Sequence, residues 1–106
     1  MSELASTPPP EPAPVFAVVE DAEQGRFELQ RDGETVSYAS YQQSDDVVTI
    51  PHVATIPEHR GQGYAARLLD GAFDQLRSSQ RSVVPLCPFA AQHIRDSPEH
   101  HDLLTK

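Results

Sequence analysis

The apolar residues of this chain change their spacing once, at a glycine-containing segment, and that change limits the folds available to it. Before residue 60 they tend to alternate with polar residues, as in strands whose two faces differ, whereas after Gly63 they recur at helical spacing. Between the two parts lies Arg60-Gly61-Gln62-Gly63, which holds two of only five glycines. Glycine lowers helix stability by roughly 1 kcal/mol relative to alanine. We therefore expect this pair to have a role that only glycine can fill.

The first two strand-like runs indicate the start of an antiparallel sheet. VFAVVE is a short apolar run. Residues 26–30 alternate, so that Phe27 and Leu29 lie on one face and polar side chains lie on the other. The dipeptide Asp32-Gly33 follows, and both of its residues tolerate positive φ. It predicts a tight hairpin into the next strand.

Two further strands lead up to the glycine segment. The third, ETVSYASY, alternates through Val36 and Tyr38, and the polar residues 42–46 after it have the composition of a turn. The fourth strand covers residues 47–56. Pro51 lies inside it and cannot donate a ladder hydrogen bond, so we expect a bulge or an interrupted pairing there.

The residues after the glycines predict a helix, a strand and a second helix. Apolar residues at helical spacing indicate an amphipathic helix of about four turns that ends near residues 78–79. SVVPL is then a short strand, and PFAAQHIRD is a short helix that begins at Pro88, a residue favoured in first turns. The predicted fold is α/β, with the order β-β-β-β-α-β-α. The helical crossover makes strands four and five parallel in a sheet that is otherwise antiparallel.

Length, charge and cysteine content narrow the class of protein. With 106 residues the chain is one domain, and its net charge of −8 argues against general nucleic-acid binding, which needs basic patches. Residues 1–14 are rich in proline and are expected to form a disordered leader, so that residues 15–106 make up the folded domain. No segment predicts a signal peptide or a membrane span. One cysteine excludes an internal disulfide and a cysteine-rich zinc site, and we expect a soluble cytoplasmic protein.

A strand, a glycine-containing loop and a helix start form an anion site. The first N–H groups of a helix have no partners within it, and the helix dipole attracts negative charge. Arg60 adds a permanent positive charge at this point. Residues 57–81 carry a net charge of +1, in contrast to the acidic remainder of the chain. A polyanion would therefore be accommodated at this segment.

The glycine segment can also be compared with three familiar kinds of turn. A nucleotide P-loop requires lysine and serine or threonine after its last glycine, whereas Tyr64 and Ala65 follow here. Gly61, Gly63 and Ala66 fit the G-x-G-x-x-A variant of the dinucleotide fingerprint, but the acidic ribose ligand expected about twenty residues later is missing. The third kind is an ordinary tight turn with a surface arginine.

Two segments of the chain carry a resemblance to a known family. Residues 60–65, Arg-Gly-Gln-Gly-Tyr-Ala, resemble the R/Q-x-x-G-x-G/A signature of the GNAT superfamily of acetyl-coenzyme A-dependent N-acetyltransferases. Residues 83–104, VVPLCPFAAQHIRDSPEHHDLL, resemble a subgroup of unusually short GNAT-like domains, which share a His-bearing strand, the R-G-x-G turn and a P-L-C-P-F segment. The resemblance covers about residues 15–104. It implies a minimal GNAT-like fold, acetyl-coenzyme A as the cosubstrate and an amine as the acceptor.

The resemblance also implies which residues hold the coenzyme. The pyrophosphate would lie against backbone N–H groups of the turn at Gln62, Gly63, Tyr64 and Ala65, and Arg60 and Gly61 would shape the loop. The pantetheine arm would pair with the backbone of strand four where strands four and five separate, at Val53, Ala54, Thr55 and Ile56.

Two residues are candidates for the chemistry of acyl transfer. The reaction needs a neutral amine, stabilisation of an oxyanion and a proton for the leaving thiolate. His52, beside the expected bulge, is a candidate base, although a histidine packed within the sheet fits equally well. Cys87 follows the apolar VVPL run and is open to three roles: a nucleophile, a thiol near the cofactor sulfur, or packing. It forms no common zinc spacing with the nearby histidines, so no metal site is expected.

The short connection between strands one and two bears on the acceptor. Only residues 21–25 separate these strands, whereas longer GNAT domains place helices there. The resemblance therefore implies a shallow acceptor site, suited to a protein terminus or lysine, a polyamine, or an acceptor completed by a partner chain, for which a homodimer is one arrangement. The acidic surface favours a cationic acceptor. The alternative function is a coenzyme A-binding or interaction module that has lost efficient catalysis.

Overall fold

The protein is built on a five-stranded sheet whose strand order follows the chain. The computed structural model describes residues 13–104. The pairings β1-β2, β2-β3 and β3-β4 are antiparallel and β4-β5 is parallel, as predicted. The strands are β1 (Phe16–Asp21), β2 (Arg26–Arg31), β3 (Glu34–Ser44), β4 (Val47–Thr55) and β5 (Ser82–Pro85). Most of the predicted leader, residues 1–12, lies outside the described residues.

The helices pack on one face of this sheet. They are α1 (Tyr64–Ser78), α2 (Pro88–Arg95) and two short 3-10 helices at Pro57–His59 and Pro98–Leu103. The order β-β-β-β-α-β-α is confirmed. The core is one apolar cluster, and its largest fully buried members are Phe27, Leu29, Val36, Val48, Ile50, Leu68, Leu69, Phe73, Leu76, Val83 and Ile94. No helix within the described residues is long and apolar enough to span a membrane.

The hairpin between β2 and β3 forms as predicted, but β3 is longer than expected. Asp32 and Gly33 both have positive φ, at 51° and 86°. The prediction of a turn over residues 42–46 was wrong, because β3 continues to Ser44 and only residues 45–46 form the turn. Backbone pairing with β4 holds the polar end of β3 in the strand, and such pairing does not require apolar side chains.

Strand β4 carries the predicted irregularity and ends one residue early. The register between β3 and β4 shifts between Ser40 and Gln42, opposite Pro51, so the expected bulge is confirmed. The strand ends at Thr55 and does not include Ile56, because the following proline begins the first 3-10 helix.

Strands β4 and β5 separate halfway along β4. Residues 47–50 pair with residues 82–85, after which Leu86 and Cys87 both donate their N–H groups to the carbonyl of Ile50, at 3.1 and 3.0 Å. Helix α2 then begins at Pro88, where the chain leaves the β-conformation. The second half of β4 therefore has no strand neighbour on this side in the part of the chain that the structure describes.

The sheet face opposite α1 is polar and carries no helix among residues 13–104. A four-residue turn joins β1 to β2, which leaves no length for a helix there. Glu28 on this face accepts hydrogen bonds from Arg26 Nε at 2.7 Å and from Thr35 Oγ1 at 3.0 Å. The Arg26 guanidinium lies 4.9 Å from the centre of the Tyr38 ring. Polar and charged side chains therefore interact with one another on this face of the sheet.

Gly71 lies where α1 packs closely against β1. A Cβ added there would lie 2.4 Å from Val18 Cγ2 and 2.8 Å from Val18 Cβ. Alanine normally favours helices, but valine is stiff at χ1 and cannot move aside, so we expect Gly71→Ala to lower the free energy of unfolding by about 1–3 kcal/mol. Chemical denaturation measures this change. In the double variant, Val18→Ala should recover part of the lost stability. If Gly71→Ala alone were more stable than the wild type, the close contact would be contradicted.

Candidate functional site

The turn between β4 and α1 contains two glycines with left-handed backbone. Their φ values are 82° at Gly61 and 75° at Gly63, a conformation that other residues rarely adopt. A Cβ on either glycine would meet no protein atom within 4 Å. The backbone conformation, and not crowding within the protein, therefore requires glycine here, and the space beside the turn is open.

Helix α1 begins at this turn with N–H groups that lack acceptors. Gly63 directly precedes the helix and provides no side-chain cap, and the first turn contains no acidic residue. The first helical hydrogen bond runs from the Arg67 N–H to the Gly63 carbonyl, at 3.2 Å. Within residues 13–104, three N–H groups before it have no acceptor, those of Tyr64, Ala65 and Ala66. Together with the helix dipole they form an anion-binding position.

A cleft of about 340 Å³ opens between this turn, β4 and α2. It is lined by Thr55, His59, Arg60, Gly61, Gly63, Tyr64, Ala65, Ala66 and Phe89. Six of the ten residues predicted to hold the coenzyme therefore lie at one cleft. The other four, which do not line it, are Val53, Ala54, Ile56 and Gln62.

Buried contacts of Tyr64 hold the turn in place. Its hydroxyl donates a hydrogen bond to Gln62 Oε1 at 3.0 Å, so the Gln62 side chain braces the turn. Its ring packs against the rings of Phe16, at 5.5 Å, and His59, at 6.2 Å. Arg60, by contrast, is exposed and makes no ion pair within the described residues.

The open edge of β4 continues the cleft as a row of backbone groups. Ile56 donates its N–H to the Val36 carbonyl at 2.9 Å, and backbone groups alternate in direction along an antiparallel strand. The N–H and C=O groups of Val53 and Thr55 therefore point away from β3, towards the gap left by β5. An extended, amide-containing ligand could pair with them as an added strand.

The two candidate catalytic residues lie near the point where β4 and β5 separate. His52 is exposed, its ring lies 6.3 Å from that of Tyr38, and its imidazole makes no hydrogen bond within residues 13–104. Cys87 directly precedes α2, is 8% exposed and belongs to the apolar core. Its N–H is bonded to Ile50, two residues before His52. The structure therefore brings both residues to the same end of the gap, although neither lines the cleft.

Sequence reasoning missed Phe89, which forms a wall of the cleft. Its ring is 46% exposed and lies parallel to the His93 ring at 6.3 Å. His93 in turn places Nε2 2.8 Å from Asp70 Oδ1. The available signal was a large apolar residue in the first turn of α2, off the buried face of that helix. No group of three or more His, Cys, Asp or Glu side chains among the described residues is arranged to hold a metal ion.

The sequence matches a protein family over most of its length. The family of GCN5-related N-acetyl-transferases matches residues 26–103. No curated protein matches the chain in sequence.

Three solved structures share the fold. A GCN5-like protein of Staphylococcus aureus has a TM-score of 0.63 at 18% identity, over 84% of this chain and 87% of its own. The ribosomal-protein-S18-alanine N-acetyltransferase of Escherichia coli has a TM-score of 0.53 at 25% identity, over 69% of this chain and 50% of its own. N-acetylglutamate synthase of Neisseria gonorrhoeae, solved with coenzyme A and N-acetyl-glutamate, has a TM-score of 0.53 at 20% identity, over 76% of this chain and 21% of its own. The chain thus spans half or less of these two enzymes.

Proposed function

Because the chain belongs to the family of GCN5-related N-acetyl-transferases, we propose that it binds acetyl-coenzyme A and transfers the acetyl group to an amine. The observation that carries this proposal is the open glycine turn at the start of α1, where three N–H groups lack acceptors. The cleft beside the turn and the open edge of β4 extend this position in one direction. The short β1–β2 connection and the P-L-C-P-F segment support a place in the short subgroup of the family.

The coenzyme would be held mainly by backbone groups. Its diphosphate would accept hydrogen bonds from the first-turn N–H groups of α1, with the exposed Arg60 as a charged partner. The pantetheine arm would lie in the gap and pair with Val53 and Thr55. Phe89 would cover the apolar part of the arm from the side of α2. The thioester would then reach the region of His52 and Cys87.

The reaction is the attack of an amine nitrogen on the thioester carbonyl, followed by cleavage of the carbon–sulfur bond. Coenzyme A leaves as a thiolate, and the proton lost by the amine is available to neutralise it. We assign His52 as the base that accepts this proton, because its imidazole is exposed and it follows the point where β4 and β5 separate. Cys87, whose backbone is bonded to Ile50 of β4, would stand near the reacting sulfur, either as a wall or as a nucleophile that would first form an acetyl-cysteine thioester.

The acceptor would approach from the uncovered, polar face of the sheet. Among residues 13–104 no helix covers that face, which supports an extended amine such as a protein N-terminus, a lysine side chain or a polyamine. The E. coli relative is named for acetylating an alanine of a ribosomal protein, which agrees with a protein acceptor. The net charge of −8 supports a cationic one.

A second candidate function, coenzyme A binding without efficient catalysis, is supported by the burial of Cys87 and by the lack, among residues 13–104, of a side chain that orients His52. Only 8% of Cys87 is exposed, and among residues 13–104 no side chain hydrogen-bonds to the His52 ring. A domain with these properties could bind coenzyme A without turning it over efficiently.

Isothermal titration with acetyl-coenzyme A tests the proposed binding. We expect saturable binding by the wild type and a loss of at least about tenfold in affinity for Arg60→Glu, because the reversed charge repels the diphosphate. Arg95→Glu is the matched control, since Arg95 is equally an exposed arginine but does not line the cleft. Absence of binding by the folded wild type, or an equal loss in both variants, would contradict the coenzyme site.

A further inference from the structure

The arginines of this acidic protein fall into two groups. The described residues contain fourteen Asp and Glu and only seven Arg, so a carboxylate partner is available to almost any arginine. Three arginines have a close one: Arg26 with Glu28 at 2.7 Å, Arg77 with Asp102 at 2.8 Å and Arg81 with Glu20 at 2.8 Å. The other four, Arg31, Arg60, Arg67 and Arg95, make no ion pair within residues 13–104.

Two of these four arginines lie at or near the start of α1, and a third lies beside Phe16, which packs on Tyr64. Arg60 belongs to the glycine turn, and Arg67 follows one helical turn later. The guanidinium of Arg67 lies 4.0 Å from the centre of the Phe16 ring, which in turn packs on Tyr64. Stacking occupies the face of a guanidinium and leaves its N–H edge available to an acceptor.

Arg31 adds a second basic group beside Phe16. The two residues are partners across β1 and β2, so their side chains lie on the same face of the sheet, the face on which Phe16 meets α1. Arg31 Nε is buried and has no hydrogen-bond partner among the described residues. A buried donor without an acceptor is unfavourable, so the side chain of Arg31 is not satisfied by its present protein neighbours.

The geometry points to a second phosphate site, formed by Arg31 and Arg67, that binds the 3′-phosphate of coenzyme A. This inference rests on the proposed function, which places the diphosphate on the first turn of α1. Coenzyme A carries a separate phosphate monoester on its ribose, on the side of the diphosphate away from the pantetheine arm. With that arm along β4, the ribose leaves the turn on the other side, where Arg67 stands one turn along the helix. The site would make the protein select coenzyme A over dephospho-coenzyme A.

A second cavity, which is polar, does not offer a comparable position. It measures about 290 Å³ and lies at the far end of α1, lined in part by Arg77 and Arg81. Both arginines there are already bonded to carboxylates, Arg77 to Asp102 and Arg81 to Glu20. An anion in that cavity would have to displace these carboxylates from the two arginines.

The test compares coenzyme A with dephospho-coenzyme A by isothermal titration of the full chain. We expect the wild type to bind coenzyme A about tenfold more tightly than dephospho-coenzyme A, because one charge-assisted contact to a partly exposed phosphate contributes about that much. Arg67→Gln should remove this preference by weakening only coenzyme A binding, and Arg31→Gln should act in the same direction. Arg95→Gln should leave both affinities within about twofold of the wild type. The preference should also shrink as salt is raised.

The outcomes separate this inference from the proposed function. If the wild type binds both molecules equally, or if Arg67→Gln weakens both equally, the 3′-phosphate site is wrong while the coenzyme site stands. If the wild type binds neither, both proposals fall. Thermal denaturation of each variant shows whether a loss comes from unfolding. Arg67 is exposed, so its replacement should leave the midpoint close to that of the wild type.

Discussion

Gly63→Asp is expected to weaken acetyl-coenzyme A binding by about a hundredfold or more while the protein stays folded. Aspartate tolerates left-handed backbone better than most residues, so the φ of 75° at this position costs only about 1 kcal/mol. Its carboxylate would stand in the open space beside the first N–H groups of α1. Two like charges about 5 Å apart near a protein surface repel by about 3 kcal/mol, and the diphosphate carries more than one. Isothermal titration measures the loss.

Gly33→Asp is the matched control for this experiment. Gly33 also has left-handed backbone, with φ of 86°, and a Cβ there also meets no atom within 4 Å. The two substitutions therefore add the same charge and similar strain, but Gly33 does not line the cleft. We expect Gly33→Asp to bind acetyl-coenzyme A within about twofold of the wild type. Equal losses in both variants would mean that net charge or stability, and not the turn, controls binding.

Most of the fold was predictable because each element carries a local signal. The hairpin at Asp32-Gly33, the helical spacing after Gly63 and the proline inside β4 each depend on a few neighbouring residues. The end of β3 was not predictable, because its polar residues are held by backbone pairing with β4. Nor could the close contact between Gly71 and Val18 be foreseen, since those residues are far apart in the chain.

The candidate site, like the fold, was predictable from the sequence only in part. The two glycines and Arg60 are adjacent in sequence, so a phosphate-binding turn could be proposed from the residues alone. The stacking of Arg67 on Phe16 and the unsatisfied Nε of Arg31 depend on the packing of α1 against β1 and β2. No local pattern distinguishes these arginines from those paired with carboxylates. The arrangement of arginines around the start of α1 could therefore be recognised only from the structure.

His52→Gln is expected to lower turnover by about a hundredfold or more, while leaving the affinity for acetyl-coenzyme A within about twofold. A general base acts on the proton of the attacking amine and contributes little to binding of the thioester substrate, so its loss should affect kcat far more than Kd. The assay follows release of free thiol from acetyl-coenzyme A, with poly-lysine, spermine and a peptide with N-terminal alanine as acceptors. Thiol release without an acceptor measures the slow hydrolysis of the thioester.

Two further variants make the result for His52 decisive. His101→Gln is the control, because His101 is an exposed histidine whose ring, among residues 13–104, hydrogen-bonds only to the Arg95 carbonyl, at 3.2 Å. Cys87→Ala separates two routes. If the acetyl group is transferred directly, this variant should retain turnover. If it passes through an acetyl-cysteine, the variant should lose turnover, and mass spectrometry of the wild type should show acetylated Cys87. Full turnover of His52→Gln would remove His52 as the base. Tight binding without thiol release by the wild type, under every acceptor, would instead favour the coenzyme A-binding module, since the buried thiol and the isolated imidazole would then have no reaction to serve.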